Sequence, residues 1–175
     1  MFTADKNLLR KIAAGLERVL VLDPNANSAK LMVEVMRDLG ARHVQVVHKT
    51  SQGIEPVANF DPQLILTELS GPDFNGLEFI RNLRRSPIAA RTAPVILYTA
   101  EATVESIKGA RDAGAHEFLR KPYTLKDLFR RVENVIIHPR DWIEAKMYVG
   151  PDRRRFNSES YAGPRKRQVE KTNVA

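Results

Sequence analysis

Short apolar runs alternate with amphipathic segments along most of this chain, and that alternation restricts the possible folds more than any other feature. Runs rich in Val, Ile and Leu indicate buried strands, and apolar residues at helical spacing follow each of them. Strands that alternate with helices predict a parallel sheet with right-handed crossover connections. The predicted strands span residues 19–22, 44–47, 63–67, 95–98 and 116–119.

The fold predicted from this pattern is a flavodoxin-like α/β sandwich of three layers, with five parallel strands in the order 2-1-3-4-5. We expect an N-terminal extension helix over residues 1–16, a domain over residues 17–137 and a C-terminal extension over residues 138–175. A weaker helix is predicted over residues 51–60, with Pro56 in its first turn, which is a position that proline tolerates.

Two groups of apolar residues are predicted to pack onto the core of this domain. On the helices, residues at helical spacing are expected to face the sheet, among them Leu31, Val104 and Leu125. After the last helix, a short segment is expected to dock back on the domain through Trp142, Ile143, Met147 and Val149.

The third predicted strand ends in a carboxylate, Glu68, and a turn-rich loop and a helix follow it. In an open parallel sheet, binding sites lie at the carboxyl ends of the central strands, where the order of the strands reverses. Asp23 stands at the corresponding place after the first strand. The sequence therefore predicts a site at the ends of the first and third strands.

The stretch QLILTELSGPDFNGLE resembles the phosphoacceptor segment of bacterial response-regulator receiver domains, whose pattern is roughly D-hydrophobic-x-M-P-x-M-D-G-x-E. Pro72, Gly76 and Glu78 match that pattern. Asn75 stands for the usual Asp, and Glu68 stands where the family carries the Asp that is phosphorylated.

The resemblance covers about residues 17–137 and implies roles for residues at the ends of other strands. Asp23 matches the first of two adjacent acids, and Pro24 falls on the second, which binds Mg²⁺ in the family. The other matches are the switch hydroxyl Thr99, the aromatic switch position Phe118, and the Lys-Pro pair Lys121 and Pro122, whose bond is cis in the family.

Two departures from the family pattern predict that phosphorylation is lost. Pro24 has no side-chain oxygen, so we expect no cofactor and at most a weak Mg²⁺ site at Asp23 and Glu68. Glu68 is one methylene longer than Asp, which displaces its carboxylate from the in-line geometry that phosphoryl transfer needs. One hypothesis is that Glu68, held with Lys121 and Thr99, mimics the phosphorylated state. The other is that Glu68 is a solvated acid at a loop.

Composition and motifs exclude several classes of protein. The chain has no Cys, and its four His are scattered without the spacing of metal ligands. It has no nucleophile elbow and no Walker loop, so we do not expect an enzyme. No apolar run approaches the ~18 residues of a membrane span, and the N-terminus has no apolar region typical of a secretory signal. We therefore expect a cytoplasmic protein without membrane contact.

Positive charge is concentrated toward the C-terminus. Residues 1–137 hold 19 Lys and Arg against 16 Asp and Glu, whereas residues 138–175 hold 9 against 5. This tail contains two copies of the pattern Y-x-G-P-x-basic-basic, similar to tails of some alphaproteobacterial receiver-only proteins. The predicted binding residues of the tail are Tyr148, Arg153, Arg154, Arg155, Tyr161, Arg165, Lys166 and Arg167.

The resemblance implies a receiver protein without a separate output domain, which binds partners in two-component or phosphorelay signalling. Expected partners are a histidine kinase, a phosphotransferase, another regulator or a second copy of the chain. In the family, the fourth helix, fifth strand and fifth helix form the usual partner face. The candidates on that face are Ile107, Lys108, Arg111, Arg120, Lys126 and Arg130.

Two alternatives stay open at this point. In the first, the receiver is a scaffold and the basic tail binds nucleic acid, with aromatic rings stacked on bases and Arg side chains on phosphates. In the second, the protein is still phosphorylated, through Asp73 in the loop or through an unusual geometry at Glu68.

Overall fold

The computed structural model describes residues 5–52 and 54–154, and a five-stranded parallel sheet forms its centre. The strands are β1 (Arg18–Leu22), β2 (His43–Val47), β3 (Leu64–Thr67), β4 (Ser70–Gly71), β5 (Phe74–Asn75), β6 (Val95–Thr99), β7 (Glu117–Arg120), β8 (Trp142–Ala145) and β9 (Tyr148–Pro151). The order in the central sheet is β2-β1-β3-β6-β7. Since β6 and β7 are the fourth and fifth strands of this sheet, the predicted order is confirmed. β4 pairs with β5, and β8 pairs with β9, as small antiparallel ribbons.

In the described residues, six α-helices connect and flank the strands. They are α1 (Lys6–Ala14), α2 (Ala26–Asp38), α3 (Glu55–Phe60), α4 (Gly76–Arg85), α5 (Val104–Ala113) and α6 (Leu125–Ile137). Short 3₁₀ turns occur at Thr50–Gln52 and Ala89–Thr92. Asn25, Asn75, Thr103 and Thr124 cap four of the helices, because each side chain accepts from a backbone N–H of the first turn. Within the described ranges, no helix is both long and apolar enough to cross a membrane.

The helices cover both faces of the sheet and so complete the predicted three layers. The core on one face includes buried residues of α1, α2 and α6, and the core on the other includes residues of α3, α4 and α5. β3 and β6 are buried along their whole length, which explains their uninterrupted apolar runs. Ile12 of α1 and the following Leu16 are fully buried, so the predicted N-terminal helix forms and belongs to the core.

Three apolar residues that the sequence pattern assigns to the core are instead exposed, as is Ile107, a candidate of the partner face. On α2, the residues that face the sheet are Ala29, Met32 and Met36, which turns the neighbouring positions toward solvent. On α5, the small residues Ala110 and Ala113 make the contact with the core. The exposed residues are Leu31, Val104, Ile107 and Leu125.

A β-hairpin formed by β8 and β9 follows α6 and packs against α4 and α5. Tyr148 is buried, and its hydroxyl donates to the carbonyl of Pro151 at 2.6 Å. Gly150 lies so close to Gly114 that a Cβ at Gly150 would be 3.0 Å from the Gly114 Cα. The predicted docking of this segment is therefore confirmed, but Met147 does not take part, because it is 85% exposed.

The hairpin packs over Arg84, a buried cation in the last turn of α4 that the sequence pattern does not reveal. Its Nε donates to the Gly114 carbonyl at 3.0 Å, and its Nη1 donates to the carbonyls of Ala93, at 2.9 Å, and Arg91. Its guanidinium carbon lies 5.3 Å from the centroid of the Trp142 ring. Burial lowers the pKa of Arg84 to about 9, so the side chain still carries its charge at neutral pH.

Replacing Arg84 is expected to destabilise the fold strongly. Arg84→Met leaves three buried carbonyls without their donor, and we expect the free energy of unfolding to fall by about 2–4 kcal/mol. Urea denaturation of both proteins measures the change. Arg85→Met is the matched control, because Arg85 is the exposed neighbour on the same helix, and it is expected to stay within about 0.5 kcal/mol of the wild type. Equal losses for the two variants would contradict this role of Arg84.

A second polar residue, His116, is buried beside Arg84. β7 begins at Glu117, one residue after the predicted start, and places His116 at the amino end of that strand. Its Nδ1 lies 3.2 Å from the backbone N–H donor of Val95 and 3.3 Å from Nη2 of Arg84. Burial lowers the pKa of His116 well below its usual range, and the charges of Arg84 and Arg140 lower it further. The imidazole is therefore neutral in the folded protein.

Because of His116, the fold is expected to lose stability as the pH falls below about 6.5, where the imidazole of the unfolded chain takes up a proton and the folded one does not. For one such group, the expected loss between pH 7.5 and pH 5.5 is about 1.4 kcal/mol. Urea denaturation at both pH values should show this loss in the wild type and in the control His43→Asn, which changes an exposed His. His116→Asn should reduce the loss by that amount, and an unchanged loss in this variant would refute the prediction.

Candidate functional site

The residues predicted to form the site meet at the carboxyl end of the central sheet. Asp23 follows β1, Glu68 follows β3, Thr99 is the last residue of β6, and Lys121 follows β7. The parallel register aligns these strand ends, since Leu22 pairs with Thr67 and Thr99 pairs with Arg120. Asp23, Glu68 and Thr99 are all buried.

Glu68 is held by two hydrogen bonds, one to each carboxylate oxygen. Oε1 accepts from the backbone N–H of Leu69 at 2.8 Å, and Oε2 accepts from Nζ of Lys121 at 2.6 Å. The side chain of Glu68 is 12% exposed, and that of Lys121 is 23% exposed. The site therefore contains a charge-assisted bond that is largely shielded from water, which is a stronger contact than a surface ion pair.

Lys121 makes contacts with three further groups around this bond. Its Nζ donates to the hydroxyl of Ser28 at 3.0 Å and lies 3.6 Å from Oδ2 of Asp23. It also lies 4.5 Å from the centroid of the Tyr98 ring, in a cation–π contact. The ammonium thus occupies the space between the two carboxylates, where a cation balances both of them.

Asp23 is bound on both oxygens and is almost completely buried. Oδ1 accepts from the backbone N–H of Asn25 at 2.8 Å, and Oδ2 accepts from the hydroxyl of Tyr98 at 2.8 Å. Burial and the neighbouring Asp23 raise the pKa of Tyr98 far above its usual range, so its hydroxyl remains a donor. Burial, with Asp23 and Glu68, also raises the pKa of the nearby Tyr123.

Tyr98 and Ser28 belong to the site, although no sequence pattern assigns them to it. Tyr98 is part of an apolar run, where an aromatic ring is expected to pack in the core, and it does so on the same face as Ile96. The available signal was its hydroxyl, since a buried tyrosine usually finds a hydrogen-bond partner. Ser28 lies in the first turn of α2 and carries no pattern that separates it from a capping residue.

Thr99 is buried at the site, but its hydroxyl has a different partner from the one that the phosphate-mimic hypothesis requires. Its Oγ1 accepts from the backbone N–H of Glu101 at 3.2 Å. The backbone N–H of Lys121 donates to the Thr99 carbonyl at 2.7 Å, but within residues 5–52 and 54–154 the Thr99 hydroxyl makes no hydrogen bond to the side chain of Glu68 or Lys121. The structure thus brings Glu68 and Lys121 into contact, and places Thr99 beside them at the end of β6, with its hydroxyl bonded to the loop that leads to α5.

Phe118 and Pro122 complete the set of residues matched to the family. Phe118 is half-buried against the core that includes α3, α4 and α5. The peptide bond between Lys121 and Pro122 is cis, as the resemblance implied. Asp73, the alternative acceptor, is exposed in the turn between β4 and β5 with a positive φ of 52°.

The residues present do not fit a magnesium ion. Pro24 supplies no oxygen, and its ring packs against the loop, where a Cβ at Gly71 would be 2.5 Å from the Pro24 Cγ. Both oxygens of Asp23 and both oxygens of Glu68 already accept hydrogen bonds, and the ammonium of Lys121 lies next to both groups. Mg²⁺ needs several oxygen ligands in near-octahedral geometry, and this pocket does not supply them.

The described part of the basic tail is engaged with the domain. Tyr148 is buried, and the guanidinium of Arg153 stacks on its ring at 3.8 Å from the centroid and binds Asp112 at 2.9 Å. Arg154 is paired with Asp152 at 2.7 Å. The Tyr148 ring is therefore not available to stack on a nucleic-acid base. Outside the described residues lie the other predicted tail residues, Arg155, Tyr161, Arg165, Lys166 and Arg167.

The contact between Glu68 and Lys121 is expected to appear as a large coupling energy in a double-mutant cycle. Lys121→Met leaves the Glu68 carboxylate in a shielded site without its cation, and Glu68→Met leaves the ammonium without its main acceptor. We expect each single variant to lose about 2–4 kcal/mol of unfolding free energy, and the double variant to lose about 1–3 kcal/mol less than the sum. Urea denaturation of the four proteins measures the cycle, and additive losses would show that the two side chains do not interact.

Comparison with known proteins places this geometry in a family. The family model described as response regulator receiver domain matches residues 19–133, which is more than half of the chain. The DNA-binding response regulator MtrA of Mycolicibacterium paratuberculosis is 29% identical over 116 residues, which are 66% of this chain and 49% of the relative. The chemotaxis protein CheY-3 of Vibrio cholerae is 24% identical over 118 residues, which are 67% of this chain and 90% of the relative. The chain thus spans about half the length of the MtrA protein that it matches.

Solved structures show the same fold. A CheY-like receiver domain protein from Methanospirillum hungatei has a TM-score of 0.61 at 21% identity, over 70% of this chain and 94% of that one. The receiver domain of the sensor histidine kinase PA1611 from Pseudomonas aeruginosa, solved with a magnesium ion in its active site cleft, has a TM-score of 0.61 at 24% identity, over 69% of this chain and 97% of that one. The family match and the order of the strands agree: this chain belongs to the response regulator receiver domain family.

Proposed function

We propose that this protein is a receiver of two-component signalling that acts by binding other proteins, rather than as an enzyme, and that it does not take up a phosphoryl group at position 68. The observation that carries the proposal is the 2.6 Å contact between Lys121 and Glu68, in a pocket where Tyr98 binds Asp23. Each polar group that phosphoryl transfer would use already has a partner within the protein.

Acyl phosphate formation on a receiver has two requirements that these residues do not support. The attacking carboxylate oxygen must be in line with the phosphorus, whereas Glu68 is one methylene longer than Asp and its Oε2 is held by Lys121 at 2.6 Å. A metal ion must neutralise the transferred group, whereas Pro24 replaces a metal ligand and the Lys121 ammonium lies between the acids. Any phosphoryl donor would have to displace the Lys121 contact.

The same geometry favours a structural role for Glu68 over mimicry of a phosphorylated residue. A mimic would draw the Thr99 hydroxyl toward the pocket, and with it the loop that leads to α5. Instead, the Thr99 hydroxyl accepts from Glu101 in that loop. We infer that the contact between Glu68 and Lys121 keeps the carboxyl end of the sheet in one conformation that does not depend on phosphate.

Partner binding is assigned to the face formed by α5, β7 and α6. Receiver domains interact with histidine kinases and with other regulators in two-component systems. For this chain we propose one of four partners: a kinase, a phosphotransferase, another regulator or a second copy of the chain. Ile107 and Leu125 are large apolar side chains exposed on this face, which supports contact with another protein. Exposed cations surround these two residues and favour a partner with an acidic surface. These cations are Lys108, Arg111, Arg120, Lys126 and Arg130.

Incubation with acetyl phosphate and Mg²⁺, followed by mass spectrometry of the intact protein, tests the loss of phosphorylation. The wild type is expected to gain no phosphoryl group under conditions that label the double variant Pro24→Asp/Glu68→Asp, which restores both acids of the family pattern. This variant is the positive control, and Glu68→Asp alone tests whether the acceptor suffices without the metal ligand. A stable gain of one phosphoryl group by the wild type would refute the proposal.

A further inference from the structure

A cleft of about 460 Å³ lies at the amino end of β7, at the end of the strand opposite to Lys121. Residues at the start of β7, at the end of α6 and on both sides of the hairpin line it. The receiver function proposed above does not use this cleft. Its volume is within the range of about 300–1,000 Å³ that is usual for sites of small ligands.

His116 lines this cleft and presents a hydrogen-bond donor to it. The residue is only 8% exposed. Because its Nδ1 faces two donors, the backbone N–H of Val95 and Nη2 of Arg84, the proton of the neutral ring must be on Nε2. In the described part of the chain, Nε2 has no hydrogen-bond partner. Every side-chain nitrogen or oxygen that is fully buried there does have one, so Nε2 must be in contact with solvent. The Nε2–H group is therefore open to the cleft.

Arg140 provides a second donor group beside His116. Its Nη2 donates to Oε1 of Glu117 at 3.0 Å, while Nη1 of Arg131 donates to the other oxygen of the same carboxylate at 2.8 Å. Two guanidinium groups thus share one buried carboxylate, which leaves an excess of positive charge. Arg140 is 21% exposed, and its remaining N–H groups make no hydrogen bond to any residue of the described ranges.

Over the whole cleft the formal charge of Asp141 balances this excess, so the unused donors, and not a net charge, are what favours an anion. Asp152 accepts from Arg154 on both of its oxygens, and this pair is neutral as a whole. Asp141 is exposed at the rim, where water screens its charge. The donors that face the cleft without an acceptor are therefore the Nε2–H of His116 and the outer N–H groups of Arg140.

We propose that this cleft binds a small organic anion, with the carboxylate or phosphate group of the ligand on His116 Nε2–H and on the guanidinium of Arg140. A planar guanidinium recognises either group through two parallel hydrogen bonds, and a neutral imidazole N–H adds a third donor. The Glu117 carboxylate holds Arg140 in place, so the donor is oriented before the ligand arrives. A phosphate ester and a carboxylic acid share this chemistry, and the experiment distinguishes between them.

Titration of the full-length protein, followed by NMR of the histidine ring nitrogens, tests the proposal. Inorganic phosphate and adenosine monophosphate form one arm, and acetate and succinate form the other. A saturable shift of the His116 Nε2 resonance is expected in at least one arm, and the arm that saturates at lower concentration identifies the class of anion. The absence of a saturable shift at millimolar concentration in both arms would overturn the proposal. Equal shifts at all four histidines would also overturn it, because they would show an effect of ionic strength only.

Variants of Arg140 separate binding from folding. Arg140→Gln is expected to weaken binding about tenfold or more, because it removes a charge-assisted contact. Arg140→Lys keeps a cation next to Glu117, and is expected to fold and to bind with intermediate affinity. The control is the double variant Asp152→Asn/Arg154→Gln, which removes a pair of opposite charges from the same cleft and leaves its net charge unchanged. Wild-type affinity in both Arg140 variants would overturn the assignment, as would a loss in the control equal to that of Arg140→Gln.

Discussion

The ammonium of Lys121 organises the carboxyl end of the sheet. It reaches from the end of β7 to Glu68 at the end of β3, and it also contacts Ser28 of α2 and the carboxylate of Asp23. A buried carboxylate without a cation is costly, and two carboxylates in one pocket are more costly still. An internal cation removes that cost without a bound ion. This explains how a receiver fold tolerates Pro24 at a position where the family supplies a metal ligand.

A second buried cation organises the opposite end of the fold, by a different kind of contact. Arg84 is surrounded by backbone carbonyls rather than by a carboxylate, and its lowered pKa reflects the cost of burial. α4 joins the two ends: its first residue, Gly76, donates to the Leu69 carbonyl next to the pocket, and its last turn carries Arg84. A helix of this length spans about 15 Å. The pocket and the hairpin are therefore attached to the two ends of one rigid element.

The sequence predicts the order of the strands and the residues at their ends because both depend on local patterns. A strand covered by helices on both faces must be apolar throughout, and the carboxyl ends of parallel strands must share an edge. The contact of Glu68 with Lys121 follows from these two rules. The hydrogen bond from Tyr98 to Asp23 does not, because Tyr98 lies in an apolar run whose pattern predicts only packing in the core, and the packed sheet places its hydroxyl beside Asp23.

Other features missing from the sequence analysis have the same cause. Arg84 looks like an ordinary cation at a helix end, and its burial depends on a hairpin that begins almost 60 residues later, at Trp142. Leu31 looks like a core residue, but the rotation of α2 is set by how Met32 and Met36 fit against the strands. In each case the local pattern is compatible with two environments, and tertiary packing selects one of them.

The position of the hairpin has a consequence for how this receiver arranges its partners. The hairpin and the cleft beside it lie at the end of the fold where Arg84 is buried, whereas the pocket of Glu68 lies at the other end. A ligand in that cleft and a protein bound near the pocket would not compete for the same surface. One domain would hold both at a high effective concentration relative to each other, as an adaptor does.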